Sequence, residues 1–152
     1  MLSAGDKFPE FSLLDQDAKH RSLGDLAGKE GLILYVYPKD DTPGCTLEAQ
    51  DFRNQAEALA AKGYKVAGLS KDSAASHCLF IEKYELNFPL LSDEGGEFLL
   101  SIGSFGEKNM YGKMVTGILR STFVIGRDGV LRRVYRNVKA TGHAAKVVRD
   151  LG

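Results

Sequence analysis

The pattern of apolar and polar residues predicts a buried strand followed by a long helix in the first third of the chain. Residues 31–37 are almost all apolar, which is typical of a strand that is covered on both faces. Next, apolar residues recur every three or four positions and form one helical stripe that ends before Gly63: Cys45, Ala49, Phe52, Ala56 and Leu59. Two prolines and a glycine separate the two patterns, so the chain turns between them. The pattern therefore places Cys45 in the first turn of the helix, on its inward face.

The rest of the chain predicts strands that alternate with helices. Residues 8–23 contain two short extended runs around a polar segment, which indicates an N-terminal hairpin. Further strands are predicted at residues 65–70, 88–91, 117–125 and 130–138. Further helices are predicted at residues 73–84, 94–102 and 143–151. A loop rich in glycine and polar residues is expected before residue 117. This order predicts an α/β fold in one domain that covers residues 1–152.

Composition and charge narrow the functional classes. Twenty basic and 20 acidic residues cancel, so no excess of either sign favours nucleic acid or an anionic membrane. No apolar run approaches the roughly 20 residues that span a bilayer, and the first residues lack the features of a signal peptide. We therefore expect a cytoplasmic protein without nucleic-acid or membrane partners. In the cytosol its two cysteines, Cys45 and Cys78, are expected to be reactive rather than structural.

The predicted surroundings of Cys45 favour a nucleophile. A helix N-terminus offers free backbone N–H groups and the positive end of the helix dipole, which stabilise a thiolate. Thr42 stands three residues earlier, and its hydroxyl can donate a hydrogen bond to the sulfur or to a substrate oxygen. Gly44 lets the backbone approach a small substrate closely. The alternative is a small core residue, but the Thr-Pro-Gly turn before Cys45 favours the nucleophile.

The segment 38–49 resembles the active site of the peroxiredoxins. Pro38, Thr42 and Cys45 match the Pro-x-x-x-Thr-x-x-Cys signature of that family. The longer run Pro-Lys-Asp-Asp-Thr-Pro-Gly-Cys-Thr-x-Glu-Ala resembles its bacterioferritin-comigratory, or Q-type, branch, and further similar motifs follow in the family's order at residues 92–93, 106–112 and 117–123. The resemblance covers most of the chain. It implies a thioredoxin fold, with a central mixed β-sheet flanked by helices and an N-terminal β-hairpin extension.

The same resemblance implies a thiol-dependent peroxidase that reduces hydrogen peroxide and organic hydroperoxides through a cysteine sulfenic acid. It implies that Cys45 is the peroxidatic nucleophile, that Thr42 helps to align the peroxide, and that Pro38 shields the sulfur. No metal, haem or flavin cofactor is expected. Thioredoxin or a similar thiol donor is expected to reduce the oxidised enzyme. A monomer is expected, since relatives of the Q-type branch are often monomeric.

Arg120 is the second candidate residue, because it interrupts the otherwise apolar strand predicted at residues 117–125. A buried guanidinium needs an anionic partner. The residues alone leave a thiolate and a surface carboxylate equally open, and the resemblance implies the thiolate of Cys45, which Arg120 would stabilise together with Thr42. Glu48 lies one helical turn after Cys45, where it either orients the arginine or interacts with the helix dipole.

Asp40 and Asp41 follow the predicted strand and precede the candidate nucleophile. Paired acids can serve general acid–base chemistry, but carboxylates close to Cys45 would oppose a thiolate. We therefore expect both aspartates to face solvent and to shape the turn.

The role of Cys78 stays open at the level of sequence. Peroxiredoxins of the two-cysteine kind use a second thiol to condense with the sulfenic acid. Relatives place that thiol either where this chain has Gln50 or where it has Ile81, and Cys78 stands one helical turn before the latter. Cys78 is therefore either a displaced resolving cysteine or a residue of a one-cysteine enzyme that an external thiol resolves. We favour the first, because a cysteine at a helix start is poised for thiol chemistry.

Two other functions are compatible with such a fold. A thiol–disulfide oxidoreductase requires Cys-x-x-Cys, and Thr42 stands where the first sulfur of that motif belongs. A peroxide sensor or holdase would use oxidation of Cys45 only to expose a surface. Catalytic loss of peroxide distinguishes the peroxidase from both.

Overall fold

A computed structural model describes the backbone of residues 1–152 and the side chains of residues 1–109 and 111–152. The strands are β1 (Leu13–Leu14), β2 (His20–Arg21), β3 (Gly31–Val36), β4 (Tyr64–Ser70), β5 (Leu90–Ser92), β6 (Phe105–Met110), β7 (Lys113–Ile118), β8 (Ser121–Gly126) and β9 (Leu131–Tyr135). The helices are α1 (Leu23–Leu26), α2 (Pro43–Ala61), α3 (Ala74–Tyr84), α4 (Glu97–Ser101) and α5 (His143–Asp150). The predicted strand and long helix around Cys45 are confirmed by β3 and α2.

The central sheet is mixed and has the strand order β2-β1-β5-β4-β3-β8-β9. Strands β3, β4 and β5 are parallel, whereas β1, β8 and β9 run antiparallel to their neighbours. All six residues of β3 are buried, because both faces of the sheet are covered. Ile33 and Tyr35 pack under α2 and α5, whereas the alternate residues of β3 pack under α1 and α4 on the opposite face. After the carboxyl end of β3, residues 37–42 lead to the start of α2, which carries Cys45.

Helix α2 begins where its sequence predicts. Thr42 is the N-cap with an extended backbone, and Pro43 occupies the first turn, where a missing N–H removes no helical hydrogen bond. Gly63 follows the helix with a φ of 90°, a conformation that glycine adopts without strain. The inward face of α2 packs on β3, and the ring of Phe52 stacks on that of Tyr35 with centroids 4.6 Å apart.

Two predicted segments differ from the structure. The strand predicted at residues 117–125 is divided, because the chain changes partners: β7 pairs with β6, and β8 pairs with β3. The polar loop predicted before it contains the antiparallel hairpin of β6 and β7. Residues 113–116 are exposed on both faces, so this hairpin lacks the apolar alternation that predicts a strand. The N-terminal hairpin is present, with strands of two residues each.

Among the described residues, the helices are all too short or too polar to pass through a lipid bilayer.

Candidate active site

Cys45 lies in the first turn of α2, and only 1% of its surface is exposed. The first backbone hydrogen bond of the helix runs from the Thr46 N–H to the Thr42 carbonyl at 2.8 Å. The N–H groups before it have no partner within the helix, so they contribute positive charge density around the sulfur. The helix start thus gives Cys45 electropositive surroundings, which favour a thiolate over a thiol.

Arg120 lies between β7 and β8, and its side chain reaches the start of α2. Its Nη2 donates to the Sγ atom of Cys45 at 3.3 Å, and its Nη1 donates to Oε1 of Glu48 at 2.5 Å. Burial acts to lower the pKa of Arg120, but the charges of Glu48 and Cys45 outweigh it and raise that pKa above its ordinary value. The guanidinium therefore remains a cation that touches both the thiol and a buried carboxylate.

Glu48 is fully buried on the same face of α2 as Cys45. Burial raises the pKa of Glu48 to about 7, although the charge and hydrogen bond of Arg120 act to lower it. Its Oε2 has no hydrogen-bond partner among the described residues. The sequence left two roles open for Glu48, and the geometry fits orientation of the arginine rather than an exposed interaction with the helix dipole.

We expect ionisation of Glu48 to lower the free energy of unfolding by about 3 kcal/mol as the pH rises from 4.5 to about 7. The sign follows from the raised pKa, because the folded protein holds this proton more tightly than the unfolded chain. Urea titrations of the wild type and of Glu48→Gln, made below pH 4.5 and above pH 7, test this expectation. The free energy of unfolding of the wild type, relative to that of Glu48→Gln, should fall by that amount between the two conditions, since glutamine cannot titrate. A difference that is independent of pH contradicts the expectation.

Thr42, Gly44 and Pro38 surround the turn that carries Cys45. The Thr42 hydroxyl donates to the Lys39 carbonyl at 2.9 Å, so it must rotate before it can donate to the sulfur or to a peroxide. A Cβ atom at Gly44 would lie 3.4 Å from Nη2 of Arg120, so Gly44 lies beside the guanidinium that reaches Cys45. Pro38 is half-buried, two residues after the end of β3.

The expectation of solvent exposure is wrong for Asp40. Only 8% of its surface is exposed, and its carboxylate accepts hydrogen bonds from Tyr37 and Ser76 and bonds Nδ1 of His77. Asp41 is exposed, as expected, but it bonds to side chains of α3. The sequence could not reveal these contacts, because the partners of Asp40 on α3 are 36 and 37 residues away along the chain.

Asp40, Asp72 and His77 are the one group among the described residues whose ligand atoms are close enough to hold a metal ion, within 4.8 Å of one another. Nε2 of His77 lies 2.9 Å from the Leu91 carbonyl oxygen, which only accepts, so this nitrogen carries hydrogen. Nδ1 bonds to Asp40 at 2.8 Å. Both nitrogens are thus engaged, and the group is suited to a hydrogen-bond network rather than to metal ligation.

Tyr35 is a residue near the site that the sequence did not single out. It is fully buried, and its hydroxyl has no hydrogen-bond partner among the described residues. Burial, followed by the charges of Glu48 and Cys45, raises the pKa of Tyr35 well above its ordinary value, so the phenol stays neutral. A tyrosine in an otherwise aliphatic buried strand is the signal that could have identified it.

Cys78 is exposed on α3, whereas its neighbour His77 is fully buried. Adjacent helical residues point in different directions, which explains the difference and separates the two side chains. Both cysteines are free thiols in this structure. The structure thus brings Cys45, Arg120, Glu48 and Gly44 together, and it leaves Cys78 outside the buried site.

The chain is similar in sequence to a known protein family and to proteins of several bacteria. The model of the AhpC/TSA family matches residues 4–134 of the chain. Peroxiredoxin Bcp of Escherichia coli strain K12 is 42% identical over 142 residues, which make up 93% of this chain and 90% of that protein. The likeness therefore extends over nearly the whole of both proteins.

Two solved structures resemble the chain in fold as well as in sequence. The bacterioferritin comigratory protein of Xanthomonas campestris, which was studied for its alkyl peroxide reduction activity, has a TM-score of 0.84 at 39% identity and covers 93% of this chain and 89% of its own. A mutant of PrxQ from Xylella fastidiosa has a TM-score of 0.90 at 34% identity. It covers 99% of this chain and 96% of its own. These likenesses confirm the predicted thioredoxin fold.

Proposed function

The chain belongs to the AhpC/TSA family and is a peroxiredoxin of the Bcp or PrxQ kind, and we propose that Cys45 is the nucleophile of its thiol-dependent peroxidase activity. Its substrates are hydrogen peroxide and organic hydroperoxides, as the alkyl peroxide reduction of the Xanthomonas relative suggests. The observation that carries the assignment is the hydrogen bond of 3.3 Å from Arg120 to the sulfur of Cys45 at a buried helix start. It joins a thiol, a permanent cation and free backbone N–H groups in one site.

The chemical step is an attack of sulfur on oxygen. The Cys45 thiolate attacks the distal oxygen of the hydroperoxide, a sulfur–oxygen bond forms, and the oxygen–oxygen bond breaks. Cys45 is oxidised to the sulfenic acid, while the peroxide is reduced to a hydroxide or alkoxide that takes a proton and leaves as water or alcohol. Negative charge moves from sulfur to the leaving oxygen, so a fixed cation next to both stabilises the transition state.

Arg120, Thr42 and Pro38 have separate roles in this proposal. The guanidinium of Arg120 holds the thiolate and then the leaving oxygen, and Glu48 fixes its orientation by the bond at 2.5 Å. Thr42 supplies a hydroxyl that rotates from the Lys39 carbonyl to the peroxide, which orients the distal oxygen toward sulfur. Pro38 limits access of water beside the turn, and Gly44 lies beside the guanidinium, where it lets the backbone approach the substrate closely.

Steady-state kinetics test the proposed function. With a thioredoxin system as donor, we expect catalytic consumption of hydrogen peroxide and of an organic hydroperoxide, because each cycle regenerates the Cys45 thiolate. We also expect no reduction of insulin disulfides, since Thr42 replaces the first thiol of a Cys-x-x-Cys motif. Reduction of insulin without peroxide turnover indicates an oxidoreductase instead. One stoichiometric oxidation without turnover indicates a sensor.

The reductive half of the cycle is proposed to use Cys78. The thiol of Cys78 condenses with the Cys45 sulfenic acid, the two sulfurs form a disulfide, and the hydroxyl leaves as water with the thiol proton. A thioredoxin-like donor then reduces the disulfide. We propose that the enzyme works in the cytoplasm, where thiols are kept reduced, and that it acts as a monomer.

Mass spectrometry without reducing agents tests the role of Cys78. After one equivalent of peroxide, we expect the wild type to lose two hydrogens and to yield a cross-linked peptide that contains Cys45 and Cys78. In Cys78→Ser the Cys45 sulfenic acid should persist and react with dimedone, because no internal thiol can resolve it. If the wild type also accumulates the sulfenic acid and forms no cross-link, Cys78 does not resolve Cys45, and the enzyme is of the one-cysteine kind.

A further inference from the structure

Arg120 bridges two buried groups that can each lose a proton, the thiol of Cys45 and the carboxyl group of Glu48. Its Nη2 lies 3.3 Å from the sulfur, and its Nη1 lies 2.5 Å from Oε1 of Glu48. Cys45 is 1% exposed and Glu48 is 0% exposed. One guanidinium carries one positive charge, so it neutralises only one of two anions. If both groups ionise, the buried site carries one uncompensated negative charge, which burial disfavours.

The two groups are too close together to ionise independently. Cys45 and Glu48 are three residues apart on α2, a spacing that places Cβ atoms about 5–6 Å from each other. At an effective dielectric constant of about 20, the repulsion between two anions at about 6 Å is equivalent to roughly a hundredfold change in proton affinity. Groups that interact this strongly titrate as a pair, so an anion on one of them makes the other hold its proton more tightly.

The other ionisable groups packed around this pair add no positive charge at neutral pH. On α2, the partly buried Asp51 acts to raise the pKa of Glu48 through its negative charge. From β3, burial keeps the phenol of Tyr35 neutral by raising its pKa. From α5, burial lowers the pKa of His143 to about 4, so its imidazole is also neutral. Among the described residues, Arg120 is therefore the one cation in contact with the pair.

The surroundings favour the negative charge on sulfur and the proton on Glu48. Cys45 lies in the first turn of α2, where free backbone N–H groups and the helix dipole add to the charge of Arg120. Glu48 lies one turn further from that positive end, and its buried Oε2 has no hydrogen-bond partner among the described residues. An ionised carboxylate leaves charge on this oxygen, whereas a neutral acid places a hydrogen there at lower cost. Burial raises the pKa of Glu48 to about 7, and an anion on the sulfur raises it further.

We propose that Glu48 takes up the proton that Cys45 releases and holds it while the sulfur is a thiolate, so that the pair carries one negative charge beside one guanidinium. The inference rests on the proposed function and deepens it, because it gives Glu48 a second role besides the orientation of Arg120. Glu48 does not touch the substrate in this role, so it is a positioning residue that also keeps the charge of the site constant.

The proton and electron balance of the oxidation then closes within the site. The Cys45 thiolate attacks the hydroperoxide, a sulfur–oxygen bond forms, and the oxygen–oxygen bond breaks, so that two electrons pass from sulfur to the peroxide. The leaving hydroxide or alkoxide takes one proton, and the acid of Glu48 gives one up as the anion on sulfur disappears. In sum, a thiol and a hydroperoxide become a sulfenic acid and water or an alcohol, and Glu48 is again a carboxylate bound to Arg120.

Three conservative substitutions separate the proposed role of Glu48 from a purely structural one. Cys45→Ser removes the group that becomes an anion but keeps a side chain of similar shape. Glu48→Gln keeps an oxygen that can accept from Arg120, but this amide neither binds nor releases a proton. Glu57→Gln is the matched control, because it makes the same change at an exposed glutamate of the same helix.

Infrared spectroscopy over a pH titration measures the proton on Glu48, because a protonated carboxyl group and a carboxylate absorb at different frequencies. At pH of about 7, the wild type should show the band of a protonated carboxyl that Glu57→Gln retains and Glu48→Gln lacks. At the same pH, the ultraviolet absorbance of a thiolate should be present in the wild type and reduced in Cys45→Ser. As the pH rises, the carboxyl band should disappear roughly one pH unit or more earlier in Cys45→Ser than in the wild type, a tenfold lower proton affinity, since a hydroxyl does not repel the carboxylate.

Each outcome has one meaning. A carboxyl band that disappears at the same pH in Cys45→Ser and in the wild type overturns the inference and leaves the peroxidase intact. A Cys45 thiolate without the band of protonated Glu48 also overturns it, because the carboxylate then does no more than orient Arg120. An earlier loss of the band confined to Cys45→Ser supports the inference. If peroxide forms no sulfenic acid on Cys45 in any protein that retains this residue, the proposed function is wrong and the inference is overturned with it.

Discussion

Cys45→Ser is expected to reduce peroxide consumption to the uncatalysed rate, whatever the thiol donor. A serine hydroxyl is the same shape as the thiol, but it does not ionise near neutral pH and is a poor nucleophile toward peroxide oxygen. Because Cys45 is 1% exposed in the first turn of α2, the substitution changes few contacts and the fold should persist. Peroxide consumption with a thioredoxin system, read beside a circular dichroism spectrum, measures the effect.

Cys78→Ser is the matched control for this loss. It makes the same change at the other cysteine, which is exposed and outside the buried site. With a small monothiol as donor, Cys78→Ser should still turn over, because the donor can attack the Cys45 sulfenic acid directly. Turnover by Cys45→Ser at the wild-type rate contradicts the assignment of the nucleophile.

Arg120→Met is expected to slow the oxidation of Cys45 by roughly 100-fold to 1,000-fold, the loss that follows removal of one donor to a developing anion. Methionine fills a similar volume but removes the donor that lies 3.3 Å from the sulfur. The rate constant for sulfenic acid formation should fall, whereas the rate of disulfide formation after oxidation should change little. The chain contains no tryptophan, so quenched-flow mass spectrometry is the suitable measurement.

Arg132→Met controls for the loss of a cation elsewhere. Arg132 is partly exposed and bonds Tyr64 and Glu30, away from Cys45. In Arg132→Met, Cys45 should be oxidised at the wild-type rate. Arg120→Met also leaves Glu48 buried without its cation, which is costly for stability. The rate constant is therefore measured on protein shown to be folded, and an unchanged rate constant there contradicts the role of Arg120.

The elements around Cys45 were predictable because their patterns are dense and local. Strand β3 is buried on both faces and reads as a continuous apolar run, and α2 shows an apolar stripe over several turns. Thr42 and Pro43 signal where the helix begins. The position of Cys45 at a helix start therefore follows from sequence, as does the need of Arg120 for an anionic partner.

The contacts that complete the site were not predictable, because they join residues that are distant along the chain. Arg120 lies 72 and 75 residues from Glu48 and Cys45, and its strand is interrupted by a change of pairing partner. The sequence around Asp40 is typical of a solvent-exposed turn, because its partners Ser76 and His77 lie far along the chain on α3. No pattern in the local sequence indicates such hydrogen bonds. A polar residue on the inward face of α2, Glu48, was a second local sign of a buried network besides Arg120.

Measuring the transfer of oxygen to Cys45 tests most directly whether this buried thiol, which Arg120 contacts, is the group that reduces peroxide. Cys78→Ser is mixed with one equivalent of hydrogen peroxide, quenched at successive times and analysed by mass spectrometry for the sulfur that gains one oxygen atom. We expect oxygen on Cys45, gained at a rate that equals the loss of peroxide. Oxidation of Cys78 in Cys45→Ser at that same rate, or loss of peroxide without oxygen on Cys45, contradicts it.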